Sequence, residues 1–69
     1  MNTERPIVFT VRQNGDWTTY SITSTDARAK RGDKPIEFKH LSSTGIYRNM
    51  SWITSELNAR GYAVLFEVD

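Results

Sequence analysis

Two stretches near the start of the chain, residues 7–12 and 17–22, alternate between apolar and polar residues. This alternation is the pattern of β-strands that are buried on one face only. Asn14-Gly15 stands between the two stretches, which indicates an antiparallel hairpin. The predicted buried face of this hairpin consists of Ile7, Phe9, Val11, Tyr20 and Ile22.

The Asn-Gly dipeptide favours a two-residue type I′ turn, because that turn needs positive φ at both central positions. With Asn14-Gly15 at the centre, Gln13 faces Asp16 and Phe9 faces Tyr20. On the other face of the ribbon, the same register pairs Arg12 with Trp17. That face is otherwise polar apart from Val8, so the sequence predicts a tryptophan in contact with water.

The main helix is predicted after residues 42–44, a Ser-Ser-Thr run that offers N-cap oxygens. Apolar residues then recur at steps of four, three and four, which place them on one helix face. They are Ile46, Met50, Ile53 and Leu57. Arg60 in the last turn complements the helix dipole, and Gly61 favours the left-handed stop. A last strand follows over residues 62–68, with Tyr62, Val64, Phe66 and Val68 on its buried side.

Residues 23–32 read TSTDARAKRG and allow two interpretations. The first residues offer helix caps and Gly32 a helix end, but no apolar stripe runs between them. The alternatives are therefore a helix of one or two turns and a mobile basic loop over 24–34. Beyond Pro35, the alternation over residues 36–39 predicts another short strand.

The elements follow the order β, β, short helix or loop, β, α, β, within one compact domain over residues 1–69. The fold class is α+β: a small antiparallel or mixed four-stranded sheet with one main helix packed on one face. Sixty-nine residues bury only a thin core. A large truncation in that core is expected to unfold the chain.

Composition and motifs argue against chemistry. The chain has no cysteine and one histidine, His40, which we interpret as a structural or surface residue. Acidic residues are scattered and the four glycines lie far apart, so we expect no metal, no cofactor and no enzymatic activity. The first residues lack the order of a secretory signal and no apolar run reaches membrane length. We therefore expect a cytoplasmic protein that is not bound to membranes.

The two tryptophans indicate binding, because both fall off the predicted core. Trp52 lies on the predicted outer side of the helix near Arg48, as Trp17 lies beside Arg12. Tryptophan and arginine are enriched at interface hot spots, so these four residues are our partner-binding candidates. The alternative is that Trp17 covers the sheet through Arg12 and that Trp52 packs under loop 24–34.

A local cluster of basic residues indicates a second candidate function, the binding of phosphate groups. The candidates for phosphate binding are Arg28, Lys30, Arg31, Lys34 and Lys39. Three acidic residues dilute the cluster, and the net charge of the chain is only +1. A solvated loop is the structural alternative.

We expect a non-enzymatic protein-binding module, an inhibitor or regulator of a larger host complex by analogy with phage and mobile-element products. The alternative is a nucleic-acid-binding protein that uses basic loop 28–40 and the open sheet face. A weak homodimer is a further expectation for the off-core surfaces.

Overall fold

A computed structural model describes residues 5–15 and 17–69. Helix α1 spans Ser43–Asn58. The strands are β1 (Ile7–Gln13), β2 (Tyr20–Thr23), β3 (Lys30–Arg31), β4 (Lys34–Pro35), β5 (Phe38–Leu41) and β6 (Val64–Val68).

The main sheet has four strands in the order β5-β2-β1-β6. Strands β1 and β2 are antiparallel, as are β2 and β5, whereas β6 runs parallel to β1. Helix α1 connects the two edge strands and packs on one face of the sheet. The α+β class with one helix on a mixed four-stranded sheet is therefore confirmed.

The core forms where the predicted apolar faces of helix and sheet meet. Its buried residues are Ile7, Phe9, Val11, Ile22, Ala29, Ile36, Ile46, Ile53 and Leu57. Met50 and Tyr20 are half-buried and pack against this cluster. Strand period and helix period thus predicted most of the core residues, with Trp52 and Val68 as exceptions.

The predicted register of the first hairpin is wrong. Val11 was expected opposite Thr18 but pairs with Ile22, which is a slip of four residues. Phe9 therefore does not face Tyr20, whose partner on β1 is Gln13. The slip is even in number, so every side chain stays on its predicted face. Asp16, the expected neighbour of Gln13, lies outside the described residues.

Asn14 explains the slip, because it closes a longer connection instead of forming the centre of a tight turn. Its N–H donates to the carbonyl of Thr19 at 2.8 Å, and its carbonyl accepts from Trp17 N–H at 2.9 Å. Its side-chain amide also donates to Thr19 Oγ1 and accepts from Ser21 Oγ, both at 2.8 Å. Asn14 therefore fastens the two strands together at the base of the loop.

The segment between β2 and β5 contains a short hairpin, so the predicted short helix is wrong. Strands β3 and β4 pair antiparallel, and Gly32 between them has a φ of 68°. Ala29 and Ile36 reach into the core and are joined by a backbone hydrogen bond of 2.9 Å. We call residues 24–36 the hairpin loop.

The predicted helix ends are close to those observed. Ser42 is the N-cap, and its hydroxyl accepts from Gly45 N–H at 3.0 Å. Gly61 has a φ of 90° and directs the chain towards β6. Arg60 lies beyond the last turn, where it donates to Glu56 at 3.0 Å and to the carbonyl of Lys30.

Candidate functional site

Trp17 lies in the connection between β1 and β2, and its side chain is 75% exposed. Its φ of 66° is in the left-handed region, where a bulky residue is a true outlier. Two hydrogen bonds hold its backbone: the N–H donates to Asn14, and the carbonyl accepts from Gln13 Nε2 at 2.9 Å. The loop therefore holds the backbone firmly while the indole projects into solvent.

Arg12 does not pair with Trp17 across the sheet, because its strand partner is Ser21. Its guanidinium instead forms an ion pair with Asp69, with Nε and Oδ2 2.6 Å apart. Both Arg12 and Asp69 nevertheless line one shallow depression together with Trp17. The predicted neighbours thus share a surface, although not through the predicted strand pairing.

An apolar groove of 230 Å³ opens on the other side of the Val68–Asp69 segment. The groove is lined by Val11, Tyr20, Ser43, Ile46, Tyr47, Met50 and Val68. Tyr47 and Val68 are 72% and 84% exposed, so the walls of the groove reach far into solvent. We call the Trp17 depression and this groove together the apolar end of the molecule.

The sequence did not reveal Tyr47 or Val68 as surface residues of interest. Val68 was expected on the buried side of the last strand, and it does share that face with Val64 and Phe66. It is exposed because the strand lies at the sheet edge, where the helix leaves it uncovered. Tyr47 follows buried Ile46, and an aromatic residue next to the core stripe of the helix was the one sequence signal available for it.

Trp52 is half-buried and packs against the core, so the expectation that it faces outward is wrong. Its ring meets Phe38 edge-on, with centroids 6.0 Å apart. The cation over the indole is Arg31 of the hairpin loop, 5.6 Å from the ring centroid, whereas Arg48 is an exposed residue of α1. The packing of Trp52 follows the structural alternative, in which the loop covers it.

Arg28 belongs to the internal framework of the hairpin loop. Its guanidinium pairs with the Asp26 carboxylate at 2.7 Å and lies over the Tyr62 ring, 5.5 Å from the centroid. Hydrogen bonds from the Arg28 side chain are the main cause that lowers the pKa of Asp26 to about 2. Arg28 and Arg31 therefore each serve a contact within the fold.

The other candidates for phosphate binding, Lys30, Lys34 and Lys39, are exposed. The hairpin loop that carries two of them follows the far end of β2 from Trp17. A nucleic acid bound by these lysines would therefore lie away from the exposed indole. The structure does not bring the basic cluster and Trp17 together.

His40 occupies a bulge in β5 with a φ of 61°. Across the part of the chain that the structure describes, no three His, Cys, Asp or Glu side chains form a group suited to a metal ion. Within the same residues, no helix is both long and apolar enough to span a membrane.

Comparison of the chain with protein-family models, with curated proteins and with solved structures found no match.

Proposed function

We propose that this chain is a non-enzymatic protein-binding module that contacts its partner through the apolar end. The observation that carries the proposal is Trp17, a largely exposed indole on a left-handed backbone. Both features cost free energy in the isolated chain. The left-handed conformation disfavours any side chain by about 1–2 kcal/mol, and exposure leaves a large apolar ring in water.

An outlier of this kind supports a functional role, because the surrounding structure must hold the residue in place. Glycine would satisfy the backbone at this position at lower cost. A tryptophan adds what glycine lacks, which is a rigid apolar surface of the type that anchors interface hot spots. Trp17 is therefore better suited to a contact than to the stability of its own loop.

The rest of the apolar end is suited to the same task. Tyr47, Met50 and Val68 line an open groove of the kind that receives an apolar side chain of a partner. The Arg12–Asp69 ion pair at the rim is already neutralised within the chain. We propose that the partner covers the groove and also contacts Trp17, and that the protein regulates or inhibits by occupying that partner's surface.

We also propose that the protein is cytoplasmic and performs no covalent chemistry. A cysteine-free small domain suits a reducing compartment, in which disulfides would not form. Trp52 and Arg48 remain predicted contact residues of a second surface. Trp52 is less suited to this role than Trp17, because Phe38 and Arg31 already cover much of its ring.

Replacement of Trp17 by glycine separates binding from stability. We expect Trp17→Gly to leave the free energy of unfolding unchanged or to raise it by up to about 1 kcal/mol, because glycine relieves the left-handed backbone. The same change should weaken partner binding by about 2 kcal/mol or more, as at a hot spot. Urea unfolding measures the first quantity. Partners are captured from host lysate with and without nuclease, and titration of a captured partner measures the second.

Leu65→Ser is the matched control, since Leu65 is also an exposed apolar residue but lines neither the Trp17 depression nor the groove. It should retain the partners that the unchanged chain captures. Equal capture by Trp17→Gly would disprove the role of Trp17. Loss of every partner on nuclease treatment would favour nucleic-acid binding instead.

A further inference from the structure

We propose that two copies of this chain pair through strand β6, which joins their sheets into one continuous antiparallel sheet with twofold symmetry. The observation behind this inference is the difference between the two edges of the sheet. It does not rest on Trp17, although the flank that the second copy would cover shares Tyr47 and Met50 with the groove of the apolar end.

Strand β5 carries the protection that natural edge strands show. A bulge interrupts its pairing with β2, His40 adopts a left-handed conformation there, and Lys39 beside it is exposed. Bulges and lysines of this kind prevent another strand from adding to an edge. This edge is therefore closed to further pairing.

Strand β6 lacks such protection. Its five residues, VLFEV, pair with β1 in unbroken register from Val64 to Val68, and they include no proline and no lysine. Valine and phenylalanine favour β-structure, and a regular edge rich in apolar residues is a template for pairing. Within the described residues, the outer side of β6 is unpaired.

The backbone hydrogen bonds show which groups point outward. Ala63 accepts from Ile7 N–H and Asp69 donates to the carbonyl of Val11, both at 2.9 Å, so residues 63 and 69 face β1. Backbone groups alternate in direction along a strand, so residues 65 and 67 face β1 as well. The N–H and C=O groups of Val64, Phe66 and Val68 therefore point to the open edge.

In a twofold antiparallel pair, these outward N–H and C=O groups form hydrogen bonds only if outward-facing residues of one copy lie opposite outward-facing residues of the other. Centred on Phe66, the pairing sets Phe66 against Phe66 of the second copy and Val64 against Val68 of the second copy. Every outward-facing residue of β6 then belongs to a hydrogen-bonded pair. A register centred on Glu67 would set two carboxylates opposite each other, which repel, and one centred on Leu65 would leave Val68 without a partner in β6.

The flank of α1 beside this edge suits a second copy of the same helix. A shallow depression there is lined by Tyr47, Met50, Ser51, Thr54, Ser55, Asn58 and Phe66. All of these residues are uncharged, so two such flanks meet without repulsion. Small hydroxyl side chains also permit close approach of two helices, which would cover the half-buried Phe66 rings.

The symmetry fixes the place of the apolar ends in the dimer. Because β1 runs parallel to β6, the connection that carries Trp17 follows β1 near the C-terminal end of β6. Antiparallel pairing of two β6 strands sends these ends in opposite directions. A dimer therefore presents two Trp17 side chains at opposite ends of one sheet.

Sedimentation and amide exchange test the pairing on the full chain. We expect the molar mass to rise from 7.9 kDa towards twice that value as concentration increases from about 10 µM to about 1 mM. Over the same range, the amides of Phe66 and Val68 should become protected from exchange. The amides of Leu65 and Glu67, which face β1, should be protected at every concentration.

Two kinds of variant locate the interface. Val68→Pro removes an outward N–H, and Ser51→Lys with Ser55→Lys places like charges on the α1 flank; each should weaken dimerisation at least tenfold. The control Glu37→Lys changes the charge by the same amount at an exposed residue beside β5, the other edge of the sheet, and should dimerise as the unchanged chain does. A molar mass that stays constant at all concentrations would overturn the proposal. That result is expected if β6 pairs with a different protein instead of a second copy of this chain. A dimer in which Phe66 and Val68 exchange freely, or that tolerates the lysine pair, would overturn it too.

Discussion

Asp26 determines the course of the chain after β2. Its carboxylate accepts from the backbone N–H of Arg28 at 2.9 Å and from the Arg28 guanidinium at 2.7 and 3.0 Å. An aspartate that binds the N–H two residues ahead begins either a helix or a turn. The sequence around Asp26 was therefore compatible with a short helix, whereas in the structure the chain turns here and Ala29 is buried.

The lowered pKa of Asp26 predicts a dependence of stability on pH. Arg28 favours the ionised carboxylate and holds its pKa at about 2, against an ordinary value of 3.8. A carboxyl group with a depressed pKa contributes its full stabilisation above the ordinary value, and this is lost as pH falls through the folded-state value. We expect the free energy of unfolding to fall between about pH 4 and pH 2.

Asp26→Asn provides the control for this pH dependence. Asparagine retains an oxygen that accepts from Arg28 N–H but does not titrate. The variant should be less stable than the unchanged chain at pH 6, and the difference should shrink towards pH 2. Urea unfolding at several pH values measures it, and a difference that stays constant with pH would contradict the prediction.

At the scale of elements, the hydrophobic pattern predicted the buried face of each hairpin strand but not the pairing between the strands. A period of two determines which face of a strand is buried, and both hairpin strands follow it. Register depends on the turn, and here Asn14 bonds across a longer connection that sequence rules for Asn-Gly do not anticipate. Faces were therefore predictable, whereas pairs such as Val11 with Ile22 were not.

The bulge in β5 allows a prediction at the same scale. His40 has a φ of 61°, so His40→Gly should raise the free energy of unfolding by up to about 1 kcal/mol. Lys39→Gly is the matched comparison in the same bulge, without a left-handed backbone to relieve. It should lower stability by about 0.5–1 kcal/mol, as glycine does within a strand. Opposite signs in urea unfolding confirm the assignment, and destabilisation by both changes would contradict it.

At the scale of the whole molecule, element order and apolar faces were enough to predict one helix on a four-stranded sheet. They also placed Trp17 in solvent, although on the sheet face instead of in the connection. The groove beside it was not predictable, because the helix period does not show where α1 crosses the sheet. Val68 is exposed through that placement alone, and Trp52 is covered because the hairpin loop folds over it.

The distribution of charge over the molecule predicts different salt dependences for protein binding and for nucleic-acid binding. Arg28 and Arg31 contact Tyr62 and Trp52, and Arg12 is paired with Asp69. A partner at the apolar end would therefore displace few counterions. We expect its affinity to fall by less than about threefold between 50 and 200 mM salt.

Binding of a single-stranded nucleic acid through three or four phosphate contacts would lose roughly 20- to 50-fold in affinity over the same range, because each contact releases a counterion. The double variant Lys30→Gln and Lys34→Gln tests whether the hairpin loop binds the partner, because it removes two exposed positive charges from that loop. Titration of a captured partner at both salt concentrations should show the same affinity for this variant and the unchanged chain. A steep salt dependence that the lysine changes abolish would place binding on the hairpin loop and remove it from Trp17.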